Sequence, residues 1–238
     1  MASTWGFLKR ILQKKVGGSG GSSHQSGGSR VDANLPLGIR IRGIVEIPQV
    51  EFILGGDLLK VKYPGYSNVV QFYGSTVMGQ STIHRFYLDS LENTYLLQIV
   101  TDGSGKVEEC KLFMVLDEVF PQNTDEWAFW LAEEDGYIGL NVFQTKDQVE
   151  YERVWGGDAV AVRGGVNRVH PLEFLETVYL YPHGDQTKTI KWDSMLYGRH
   201  VNDQVNEYLL LSAIQDQDEA AVQIMVGLEI NPDSLKVM

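Results

Sequence analysis

STIHRFYLDSLENTYLLQIVTDGSGKVEECKLFMVL, residues 81–116, is the stretch from which the fold class is read. It contains three runs rich in apolar, β-branched and aromatic residues: STIHRFYL (81–88), TYLLQIV (94–100) and VEECKLFMVL (107–116). Such runs, bounded by short polar breaks, read as strands. Thr101, Asp102, Gly103, Ser104 and Gly105 stand between the last two and supply the positive-φ residues that a hairpin demands. The segment is therefore an antiparallel meander.

The same signature recurs on both sides. IRIRGIVEI (39–47) and GGDLLKVKY (55–63) precede it. A hairpin is expected from Leu140 to Trp155, where LNVFQ and VEYERVW flank Thr145, Lys146 and Asp147. LEFLETVYLY (172–181), TKTIKW (187–192), NEYLLLSAI (206–214) and AAVQIMVGLEI (220–230) follow. The body carries one clear helix: Asn123 or Thr124 caps it, Asp125 and Glu126 suit its positive end, Trp127, Trp130 and Leu131 share a side, and Gly136 ends it. A short turn is expected at Asn231-Pro232-Asp233. Helical patterns do not alternate with the strands, which argues against a doubly wound α/β sheet. The expected class is α+β, predominantly antiparallel β, with one or two short helices. An internal echo, Asn93-Thr94-Tyr95-Leu96-Leu97 against Asn206-Glu207-Tyr208-Leu209-Leu210, predicts two similar lobes, 34–135 and 136–238.

Charge divides the chain. Residues 1–30 hold Lys9, Arg10, Lys14, Lys15 and Arg30 and no acid, whereas all 31 acidic residues lie beyond them, in a protein of net charge −11. An acidic body repels phosphates, so a nucleic-acid partner is not expected. The single cysteine, Cys110, excludes an intramolecular disulfide framework and a multi-cysteine metal site, and fits a reducing, cytoplasmic setting. No stretch has the length and apolarity of a membrane span.

Residues 17–33 open on a run of Gly and Ser that reads as a flexible linker. Before it, residues 1–16 predict a basic amphipathic helix. Trp5, Phe7, Leu8, Ile11, Leu12 and Val16 form its apolar stripe; Lys9, Arg10 and Lys14 lie outside the stripe, and Lys15 lies within it. Such a helix suits the surface of an anionic membrane or a partner protein. The same stripe and charges also suit docking onto the acidic body, residues 34–238.

Chemical motifs are sparse. The five histidines have no metal-ligand spacing, and the glycine pairs at 55–56, 156–157 and 164–165 fit no phosphate-binding loop. No nucleophile elbow occurs, and Cys110 sits in an apolar alternation that reads as a strand position. No catalytic residue, metal ligand or cofactor is predicted. Arg85, Asp89 and Arg153 are the candidate ligand-binding groups, because two arginines on neighbouring strands could clamp a carboxylate; cross-strand ion pairs are the plainer reading.

LPLGIRI (35–41), HRFYLD (84–89), KLF (111–113), YERVWG (151–156), MLYGR (195–199) and EYLLLS (207–212) together resemble the YjfK-type family of uncharacterised bacterial proteins. That resemblance carries no activity and no site residues. It implies a genetic setting beside relatives of a coiled-coil membrane-stress protein. The expected function is a non-enzymatic adaptor or regulatory domain, cytoplasmic and peripheral on the inner membrane or attached to such a partner. The alternative is an enzyme or small-ligand binder whose site assembles from distant residues.

Overall fold

The computed structural model describes residues 6–13, 30–90, 93–156, 168–217 and 219–238. Two four-stranded meanders dominate it. The first comprises β2 (Asn68–Met78), β3 (Ser81–Asp89), β4 (Thr94–Thr101) and β5 (Val107–Val119). The second comprises β8 (Leu172–Tyr179), β9 (Thr187–Asn202), β10 (Val205–Gln215) and β11 (Ala220–Glu229). β5 pairs with β11 and β2 with β8, so the meanders close into one eight-stranded antiparallel barrel. Short strands extend it: β1 (Ile44–Glu46) and β12 (Lys236–Val237) beyond β2, and β7 (Glu150–Arg153) with β6 (Val142–Gln144) along the second half of β9.

Closure gives every strand an inner and an outer face, and both are buried along β4, β10 and β11. The inner cluster includes Phe72, Tyr87, Leu96, Phe113, Phe174, Trp192, Leu210, Ile214 and Met225. The outer cluster includes Phe86, Leu97, Leu112, Tyr197, Leu209 and Val226, and is covered by segments 35–63 and 119–155. This two-sided burial makes these strands read as continuous apolar runs rather than strict alternation.

Several expectations are met. The loop after β4 turns at Asp102, whose Oδ1 accepts from the backbone of Ser104 and Lys106, and Gly105 has φ 85°. Asn123 accepts from Glu126 N–H at 2.9 Å and starts α3 (Thr124–Leu131), which ends before Gly136, at Leu131. Asn231 caps a 3-10 turn at Pro232–Ser234.

Others are corrected. The strand expected over 39–47 shrinks to β1, because a turn with Arg42 at φ 71° interrupts it. The strand expected over 55–63 is the end of α2 (Val50–Gly55) followed by a 3-10 turn, since Gly56 at φ 53° stops the helix. Residues 30–33, read as linker, are bonded to the body. Val31 N–H donates to Pro182 O, and buried Asp32 accepts from Arg30 and from Ile41 N–H. Burial raises the Asp32 carboxyl, but the guanidinium and the amide outweigh it and leave it lowered. Residues 17–29 lie outside the described residues.

The echo does not yield two lobes. β4 and β10 are each the third strand of a meander, as the match implies, but the meanders share one barrel. Tyr95 packs in the outer cluster and Tyr208 against the inner one. The matched letters are therefore one residue out of phase in the pleat.

Glu207, buried on the outer face, joins the barrel to its covering segments. It accepts from the backbone N–H of Lys60 and Val61, from Tyr151 Oη at 2.8 Å, and from two nitrogens of Arg199. Glu207→Ala removes the acceptor for all of them and is expected to cost about 3–5 kcal/mol. Urea unfolding tests this through a lowered midpoint at unchanged slope.

Candidate functional site

Inside the barrel the polar residues lie in two rows, of which the shorter is Ser194, Ser212 and Gln223 across β9, β10 and β11. Cross-strand partners Arg85, Gln98, Lys111 and Glu229 run from β3 to β11, and Glu176 of β8 closes on Arg85 across β2. Arg85 Nε donates to Gln98 at 3.0 Å, and its Nη1 lies 3.5 Å from Glu176. Tyr87 Oη donates to the same carboxylate at 2.8 Å. The guanidinium carbon sits 4.2 Å from the Trp192 ring centroid and 4.8 Å from that of Phe174. Lys111 rests over the Tyr208 ring and pairs with Glu109.

Gly74 allows this closure. A Cβ there would lie 1.7 Å from Glu176 Oε1. The glycine that weakens the strand pattern of β2 in the sequence is what lets a carboxylate cross it. Burial raises the Glu176 carboxyl; Arg85, Tyr87 and Trp192 each pull it back without cancelling the rise.

One end of the chamber is filled by α1 (Gly6–Gln13). Phe7, Ile11 and Leu12 belong to the inner cluster and are almost wholly buried. Arg10 pairs with Glu219 at 2.8 Å, just before β11, and Phe7 N–H approaches Glu118 at the end of β5. Lys188, at the start of β9, donates to Ile11 O in the last described turn of the helix. These contacts lie around one rim.

The residues singled out in the sequence thus separate. Phe7, Ile11 and Leu12 face the barrel and Arg10 its rim. The side chains of Leu8 and Lys9, and all of Trp5, Lys14, Lys15 and Val16, lie outside the described residues. Arg85, Asp89 and Arg153 are not brought together, because β2, β8 and β9 stand between β3 and β7 in the sheet. Arg85 is inside; Asp89 accepts from Gln71 at 3.4 Å. Arg153 donates to Gly139 O and lines an open hollow of about 420 Å³ with Glu150, Glu152, His200 and Tyr208. Glu176 and Trp192 were missed in the sequence. The only signal for them is a carboxylate at an inward position of LEFLETVYLY, visible once the strand's facing is known.

Cys110 is buried and its thiol is pushed up to about 12, chiefly by desolvation, so it is not poised as a nucleophile. Among the described residues no cluster of three His, Cys, Asp or Glu could hold a metal, and no helix is long and apolar enough to cross a membrane.

Gly74→Ala forces the Glu176 carboxylate out of its place and is expected to cost about 1–3 kcal/mol. Thermal unfolding measures the loss, and a stability equal to the parent's would show that the carboxylate is not held against Gly74.

No curated protein and no solved structure matches the chain. A family model described as "Protein of unknown function (DUF2491)" matches residues 9–236, and the chain belongs to that family.

Proposed function

We propose that the protein is a non-enzymatic adaptor whose N-terminal helix exchanges between its own barrel and an anionic membrane surface. The observation that carries this reading is that Phe7, Ile11 and Leu12, half of the stripe expected to enter a bilayer, are the side chains buried in the inner cluster. One apolar face cannot serve both places at once. Docked and attached states therefore compete.

Magnitudes make the competition close. A large apolar side chain gains about 1.5–3 kcal/mol on leaving water, whether it enters the barrel or the acyl boundary. Moving it from one to the other changes little. The balance is then set by charge, where each basic residue near an anionic leaflet contributes about 1 kcal/mol, against the rim contacts of Arg10 and Lys188 and the cost of an emptied chamber. The body, acidic overall, adds repulsion from such a leaflet. The resemblance to the YjfK-type family, with its envelope-stress setting, supports a membrane-facing role. It also makes a coiled-coil membrane-stress protein the alternative acceptor of the helix.

Glu219→Lys turns the rim attraction for Arg10 into repulsion and leaves the helix itself unchanged. Co-sedimentation of the full chain with phosphatidylglycerol vesicles is expected to rise about 3- to 10-fold in this variant, with no rise on neutral vesicles. Equal pelleting of variant and parent on both lipids contradicts the proposal.

A further inference from the structure

Arg85 and Trp192 are 1% and 0% exposed; Nη2 of the guanidinium has no acceptor, and Nε1 of the indole lies near the Glu176 carboxylate without completing a hydrogen bond to it. Buried donors left unpaired destabilise a fold, and native structures keep few of them. The two side chains meet in the barrel, with the guanidinium over the indole ring. Towards α1 the wall changes to Phe72, Leu96, Phe113, Val115, Ile214 and Met225, an apolar lining broken by the bonded pair Ser194 and Ser212 and by Gln223, which donates to Glu118 and leaves its own Oε1 unpaired. The chamber thus has a mostly apolar end, a floor with spare donors, and a plug that, among the described residues, is made of three side chains on a helix that the sequence ties to the body through a Gly/Ser-rich stretch. Barrels of eight strands are wide enough for packed side chains or for one small ligand.

We infer that the inner chamber is a binding site for a fatty acyl chain, whose carbonyl or carboxyl oxygen accepts from Arg85 Nη2 and Trp192 Nε1 and whose tail takes the place of Phe7, Ile11 and Leu12. The ion pair with Glu176 leaves the Arg85 neighbourhood close to neutral, so the missing partner is an acceptor oxygen rather than necessarily a full negative charge. A quaternary ammonium head offers no acceptor oxygen to either N–H group. Occupation by the chain and docking of α1 exclude one another, because both fill the same apolar end. An acyl chain also removes the cost of an open chamber when α1 leaves, which couples this site to the exchange proposed above. Its existence does not depend on that exchange.

Isothermal titration of the full chain, without vesicles and below the critical micelle concentration, uses dodecanoate, methyl dodecanoate and dodecyltrimethylammonium. One saturable site is expected for dodecanoate or its ester, with the ammonium at least 10-fold weaker. Glu219→Lys, which loosens the plug, should tighten acyl binding several-fold. Trp192→Phe keeps the ring stacked on Arg85 but removes the indole N–H; with its circular dichroism unchanged it should bind several-fold more weakly. Absence of saturable binding to Glu219→Lys, or equal affinity for the ammonium, overturns the inference. Vesicle attachment can fail while acyl binding persists, and the reverse, so the two proposals are separable.

Discussion

A closed barrel must have its inside filled. Strands β2–β5 and β8–β11 wrap a chamber whose wall is mostly apolar at one end and polar at the floor. An empty apolar space of that kind forfeits the dispersion contacts of every side chain that lines it. Two devices fill it here. The Arg85–Glu176 pair, with Tyr87 and Gln98, occupies the floor, and the apolar face of α1 occupies the end. The outer wall needs no such plug, because segments 35–63 and 119–155 cover it and Glu207 fastens them.

The two fillings differ in permanence. Arg85 and Glu176 are held by the strands themselves and by the approach that Gly74 permits. Among the described residues, the helix is held by three buried side chains, the exposed ion pair of Arg10 and a few rim contacts, and the sequence that joins it to the body is rich in Gly and Ser. Exposed ion pairs contribute little. The plug is therefore the replaceable part, and a change in what fills the chamber is a change in where the helix goes. On the proposed reading, this is how an acidic body and a basic leading segment work as one device.

Strand identity was legible wherever both faces of a strand are apolar, as in TYLLQIV and AAVQIMVGLEI, since no facing had to be known. β2 was not, because Gly74 and Ser75 interrupt its pattern for a reason that lies on β8. GGDLLKVKY failed differently: of the buried positions of α2, Phe52 precedes the run and Gly55 only opens it, so the helical spacing was cut. The apolar stripe of residues 5–16 was readable from spacing, but its destination was not. An apolar face looks the same whether it is bound for lipid, a partner or the chain's own barrel. The polar floor was invisible for a simpler reason. Arg85 and Glu176 are 91 residues apart, and only closure of the barrel brings them together.

The account rests on α1 sitting in the barrel of the protein free in solution. Amide hydrogen exchange of the full chain, followed on the peptide covering residues 6–13, measures this directly. Protection well above that of a free peptide, lost on adding dodecanoate, is the result the account predicts. Exchange at the free-peptide rate from the outset would contradict it.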